Sequence, residues 1–239
     1  MIDRHLTRLR IRHDIDEVEE RAIRESVSEV REYLAGQTII RAGETLRYST
    51  LLLDGLLCRY KDLRDGQRQI AELHVPGDFA DLHSYTLKQL DHNILTLTRC
   101  RVALVPHDRI KQVTTQHPHL ADVYWFSTNL DAAIHREWVL SLGRRSAISR
   151  LAALVCELQV RLGLVGLADD KGFAFGLTQN ELAECLGLTS VHVNRTLKQL
   201  REDRLMTFRH GRVVIHDLAA LRDVAEFDPA YLYLDRHPR

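Results

Sequence analysis

The stretch that most limits what this chain can fold into is Leu177–Lys198, LTQNELAECLGLTSVHVNRTLK. Thr178 offers a hydroxyl as a helix N-cap, and Glu181 follows three residues later, the spacing of a capping box. Leu182, Ala183 and Leu186 then recur at helical intervals, and Gly187 can adopt the positive φ of a sharp helix end. Leu188 plugs the turn, and Thr189 or Ser190 caps a second helix. That second helix turns Val193, Leu197 and Leu200 to one side. Its other side carries Ser190, Val191, His192, Asn194, Arg195 and Lys198. Arg can bind guanine bidentately, Asn can bind adenine, and Lys or His can meet phosphate. The pattern predicts a helix-turn-helix with a base-reading face, although an αα-hairpin with a solvated polar face has the same spacing.

The residues that follow separate the two readings. Met206–Phe208 and Val213–Ile215 are short alternating runs around His210-Gly211, which predicts a β-hairpin. A helix-turn-helix with a basic hairpin behind it is a winged helix, and Arg209 and Arg212 flank the tip. A formal net charge of zero conceals an uneven distribution: residues 143–216 hold 11 Lys and Arg against 7 Asp and Glu. The positive charge is therefore concentrated around the motif.

Upstream, residues 1–33 read as helical. From Leu34 short β-type runs are broken by turn signals at Ala42-Gly43-Glu44, Asp54-Gly55, Asp65-Gly66 and Pro76-Gly77-Asp78. Their number and spacing predict a β-sandwich or jelly roll. Leu120, Val123, Ser127, Leu130, Ile134 and Trp138 step by three or four along a helix of about 25 residues. That stripe suits a two-stranded coiled-coil seam, though a helix lying on its own β-domain would show it too. Gly143–Ser146 breaks the helix, Ala147–Leu162 forms another, and 163–176 reads as a Gly-rich loop. Asp217 caps a short helix to about Phe227, and the closing PAYLYLDRHPR is expected to pack back on its domain. The fold class is α+β: a sensor-like jelly roll over 1–117, a dimerisation helix over 118–143, and a winged helix over 144–239.

Cys58, Cys100, Cys156 and Cys185 are scattered with no CxxC, so neither a zinc site nor a disulfide framework is expected. Cys185 falls in the first helix of the pair, where oxidation could disturb the motif, but an inert core thiol fits equally. No nucleophile–base pair, phosphate loop or metal-ligand spacing points to an enzyme. No apolar run approaches the roughly 20 residues of a membrane span, and the N-terminus has no secretory h-region, so a soluble cytoplasmic protein is expected.

In that order of domains the chain resembles the CRP/FNR family of bacterial transcription regulators, over roughly residues 15–217. The resemblance rests on TIIRAGE, LLLDGLLCRYK, HVPGDFADL and TQNELAECLGLTSVHVNRTLKQL with its wing. It implies a homodimer on a palindromic double-stranded DNA operator, with RNA polymerase as a further partner. It maps base reading to Ser190, Val191, Asn194 and Arg195, and phosphate contact to Gln179, His192, Lys198, His210 and Arg212. Members of the family often have Glu where this chain has Val191, which substitutes an apolar contact for a base reader. Cyclic-nucleotide-binding members hold ribose with a Gly-Glu pair and phosphate with an Arg-Ser pair. Here Ala80-Asp81-Leu82 and His92-Asn93 stand in those places, and no Arg lies between Phe79 and Leu97. Without that bidentate guanidinium, cyclic AMP in the usual mode is not expected. Asp81, Leu82, His83, His92 and Asn93 are the candidate sensor-pocket residues. Iron–sulfur members carry several Cys near the N-terminus, and this chain has none before Cys58, so that cluster is not expected. Haem stays open, with His83 and His92 the residues to examine among 13 His. The reading from another class is a ligand-gated interaction module that does not touch DNA; a duplex-shift experiment separates the two.

Overall fold

A computed structural model describes residues 1–235, so the last four residues of the closing segment lie outside the described residues. The described residues divide into two compact units: 1–60 with 73–133 and 233–235, and 61–72 with 134–232. The fold is α+β.

The first unit begins with α1 (Asp3–Arg12) and α2 (Glu17–Ser26), the latter closed by an Asp16/Glu19 capping box. The sandwich is built from β1 (Glu29–Tyr33), β2 (Thr38–Ile40), β3 (Tyr48–Asp54), β4 (Leu57–Asp62) and β5 (Arg68–His74). After the single-turn α3 (Ser84–Leu87) it is completed by β6 (Asn93–Thr96) and β7 (Cys100–Pro106). One sheet runs β1-β7-β3 and the other β2-β6-β4-β5. Ile40, Leu52, Leu57, Ile94, Val102 and Leu104 form one apolar cluster. In a second cluster, Leu51, Leu53 and Val105 pack with Leu6, Leu9, Ile23, Leu120, Val123 and Tyr124, joining the sandwich to its helices.

Two expectations change here. Residues 29–33 form a strand rather than the end of a helical segment: Glu29–Tyr33 pairs antiparallel with Leu104–Cys100. The ladder satisfies backbone groups that side-chain periodicity alone assigned to a helix. The second change concerns α5 (Pro118–Arg144), which follows α4 (His107–Gln116). Leu120, Val123, Leu130, Ile134 and Trp138 are all buried within the chain itself, so the stripe read as an intersubunit seam is taken up by intrachain packing. A different row of α5, Trp125, Thr128, Ala132, His135 and Val139, repeats the same three-four spacing; Trp125 is 74% exposed and Val139 61%.

In the second unit, α6 (Ala147–Gly163) starts at the Ser146 cap, so the break after α5 is only Arg145-Ser146 and Gly143 stays helical. Residues 163–176 are not a plain loop. They contain β8 (Ala168–Asp169) and β9 (Gly172–Ala174), and β9 pairs with β11 (Arg212–Ile215). With β10 (Met206–Arg209) the sheet order is β10-β11-β9-β8. Gly172 makes this possible: at φ +133°, a Cβ would lie 2.0 Å from the Val213 carbonyl oxygen. Helix α9 (Leu218–Ala225) is capped by Asp217, as expected, although it ends two residues before Phe227. Among the described residues, no helix is long and apolar enough to cross a membrane.

A buried charge anchors this unit. Glu157 and Arg161, both 2% exposed, pair at 2.7 Å across one turn of α6. Glu157 also accepts from Trp138 Nε1 (3.2 Å) and Tyr231 OH (2.9 Å). A buried carboxylate is tolerable only with such a complete set of donors. Leu232 is buried as well, so the described part of the closing segment does pack on the fold.

Candidate nucleic-acid interface and sensor interior

Helix α7 (Gln179–Leu186) begins at Thr178, whose hydroxyl accepts from Glu181 N while the Glu181 carboxylate accepts from Thr178 N. It ends at Gly187 (φ 60°, ψ 40°), whose N–H returns to the Ala183 carbonyl. Arg150 donates to the carbonyls of Leu186, Leu142 and Arg145, so one guanidinium satisfies the ends of two helices. Sequence reasoning missed Arg150, because an Arg inside an amphipathic helix has no local signature of such a role.

Helix α8 (Ser190–Glu202) is capped by Thr189, which accepts from His192 N. Val193 and Leu200 are fully buried, each stabilising the unit by about 1.5–3 kcal/mol. The third inward residue is Thr196, whose hydroxyl donates to the His192 carbonyl; Leu197, expected inward, is only half-buried. The opposite face is open. Val191 is 80% exposed, Asn194, Arg195 and Lys198 are exposed, and Ser190 and His192 are half-buried. Lys198 meets Glu202 at 3.7 Å, an exposed pair of small energetic weight. Gln179 is exposed at the start of α7. On the wing, His210 (φ 51°) and Gly211 (φ 68°) make the tight turn, with Arg209 directly opposite Arg212 in register. His210 and Arg212 are both exposed.

The five candidate residues of the sensor are engaged in different contacts. Leu82 packs in the apolar cluster with Leu51 and Val105. Asn93 Oδ1 accepts from Ala42 N, at 3.0 Å. Asp81 is fully buried beneath β3, where Oδ1 accepts from Thr50 N and Oδ2 has no hydrogen-bond partner. Desolvation raises its pKa to about 7, against the opposing pull of the Thr50 N–H and Arg59. A carboxyl that ionises near 4 in the unfolded chain and near 7 when folded stabilises the fold below pH about 4. That contribution is lost as pH rises through 7. Asp81→Asn should therefore match wild type at pH 4 and exceed it above pH 7, by on the order of 4 kcal/mol. Parallel urea-denaturation curves across that range would contradict this.

His83 and His92 do come together, with ring centroids 5.6 Å apart. The guanidinium missing from the 79–97 segment arrives from a neighbouring strand: Arg59 on β4 donates twice to the Ala80 carbonyl (2.9 and 2.7 Å) and once to Asp131 (2.7 Å).

Residues 149–224 match the Crp-like helix-turn-helix domain family, and residues 30–117 match the cyclic nucleotide-binding domain family. Over 173 residues the chain is 32% identical to the transcriptional activator protein FnrL of Cereibacter sphaeroides, covering 70% of this chain and 68% of FnrL. The chain belongs to the CRP/FNR family of DNA-binding transcription regulators. This CRP/FNR protein is also 27% identical to the nitrogen fixation regulation protein FixK of Azorhizobium caulinodans, over 68% of its own length and 65% of that protein's. The aligned region thus spans about two thirds of these relatives. Among solved structures, FixK2 from Bradyrhizobium japonicum superposes with a TM-score of 0.75 at 25% identity, covering 83% of this chain and 97% of FixK2. As members of this family are regulators, the CRP/FNR chain is not an enzyme.

Proposed function

We propose that this regulator binds an inverted-repeat operator as a homodimer, through α8 and the wing of each subunit, and that its sensor does not take cyclic AMP in the usual mode. The division follows: sensor over 1–117, dimerisation helix over 118–143, DNA-binding domain over 144–239. The observation that carries the reading is the two-sidedness of α8. Val193, Thr196 and Leu200 anchor it, while Val191, Asn194, Arg195 and Lys198 face solvent. Ser190, Val191, Asn194 and Arg195 read bases, with Val191 against a thymine methyl; Gln179, His192, Lys198, His210 and Arg212 meet phosphates. Dimerisation uses the row Trp125, Thr128, Ala132, His135 and Val139, of which all but the half-buried Thr128 are exposed. RNA polymerase is the further partner, and the cytoplasm the place of action.

The cyclic AMP reading is supported by the engagement of Arg59. It donates to Ala80 O and to Asp131, so an incoming phosphate would have to break a 2.7 Å ion pair to recruit it. A duplex-shift titration in graded salt tests both halves. Operator affinity should fall steeply as salt rises, through counterion release. Millimolar cyclic AMP should change neither that affinity nor the melting temperature, since a ligand of the native state must stabilise it. A protein that shifts no duplex would favour the non-DNA module instead. A cyclic AMP-dependent rise of several degrees would overturn the sensor half.

A further inference from the structure

A cavity of about 170 Å³ lies between α2 and α4 of the first unit. Each helix lines it with one face at helical spacing: Val18, Arg21, Ala22 and Glu25 from α2, and Arg109, Gln112, Val113 and Gln116 from α4. The base is fixed, because Val113 is buried in the second apolar cluster and Ala22 packs against that cluster. The rims are polar. Arg21, Arg109, Gln112 and Gln116 bring guanidinium and amide donors, with Glu25 as the carboxylate among them. Both guanidiniums are uncommitted: among the described residues neither Arg21 nor Arg109 makes a side-chain ion pair or hydrogen bond, not even Arg21 with Glu25 one turn along α2. Carboxylates are not scarce nearby, since Arg24, three residues on, pairs with Glu20 at 2.8 Å and with Asp3 at 2.7 Å. Two like charges lining one small space repel each other, and a bound anion replaces that repulsion with attraction.

We propose that this cavity binds a small dianion with carboxylate or phosphate groups, held between Arg21 of α2 and Arg109 of α4. A guanidinium presents planar paired donors that fit either group two at a time. The amides of Gln112 and Gln116, one turn apart on α4, add neutral donors beside Arg109. The space is smaller than the roughly 300–1,000 Å³ of pockets for drug-sized molecules, so it suits a metabolite of a few carbons rather than a nucleotide. Glu25 opposes an anion and holds its affinity down. A ligand bridging the two rims ties α2 to α4 and stabilises the unit that contains them. The site does not depend on the DNA-binding reading, and its test involves no DNA.

The full-length protein should be titrated by calorimetry at low ionic strength with succinate and, separately, with inorganic phosphate, which distinguishes the two kinds of anionic group. One saturable equivalent per chain is expected for at least one of them, together with a rise in melting temperature. Acetate, with a single charge, should bind at least about 10-fold more weakly than succinate if succinate is the better ligand. Arg21→Gln and Arg109→Gln should each weaken binding about 10- to 100-fold, the loss of one charge-assisted contact. Both side chains are exposed, so these variants should melt like wild type without ligand. Glu25→Gln should tighten binding about 2- to 10-fold, a gain that damage to the fold would not produce. Absence of a saturable equivalent with either anion would overturn the site. So would wild-type affinity in both Arg21→Gln and Arg109→Gln, which would put the bound anion on another basic surface.

Discussion

Trp125→Asp combined with Val139→Asp is expected to give a folded monomer whose operator affinity is about 10²- to 10⁴-fold below wild type. Both side chains are largely exposed, so the fold itself should lose little. A two-stranded seam would bury both charges without partners. Once the subunits separate, the second half-site no longer sees a tethered helix at high effective concentration, and that avidity is lost. Sedimentation and filter binding check the two halves of the effect. Ile134→Asp is the informative contrast, because Ile134 is buried inside the chain and a charge there should unfold the subunit rather than split a dimer. An unchanged dimer in the double variant would mean that another surface joins the subunits.

The second large effect concerns Glu157. Replacing it by Ala takes from the buried Arg161 its carboxylate partner at 2.7 Å and strips the acceptor from Trp138 Nε1 and Tyr231 OH. Breaking one partner of a buried pair costs about 3–5 kcal/mol. The unit carrying the helix-turn-helix should therefore unfold at markedly lower urea, and duplex binding should fail with it. Replacing Glu157 and Arg161 together by apolar residues should recover part of the loss. A cost under about 1 kcal/mol for Glu157→Ala would show that water already solvates the pair.

The two units differ in how far local sequence determines them. The recognition pair was legible because its boundaries are set by local chemistry: the Thr178/Glu181 capping box, the left-handed Gly187 and the Thr189 cap all act within four residues. The wing was legible for the same reason, through His210-Gly211. Strands β8 and β9 were not, since two and three residues show no period and their pairing depends on Val213 some 40 residues away. On α5, the 3-4 spacing of Leu120–Trp138 could not tell burial against the same chain from burial against a second one. The row from Trp125 to Val139 has the same spacing, and only tertiary packing distinguishes the two. Arg59 escaped notice because it enters the sensor interior from β4, outside the 79–97 segment where an arginine was sought.

Base reading by α8 is the central claim, and selection of binding sites from random DNA tests it most directly when run on wild type, Arg195→Ala and Arg212→Ala. Wild type should enrich an inverted repeat with half-sites roughly 10–10.5 bp apart, the spacing of two helices entering successive major grooves. Arg195→Ala should lose about 1–3 kcal/mol per contact and relax preference at one symmetry-related position in each half-site. Arg212→Ala should weaken all sequences alike and make the salt slope shallower by about one. If Arg195→Ala instead keeps the full wild-type preference at uniformly lower affinity, Arg195 is a phosphate anchor, and the assignment of base reading on α8 is wrong.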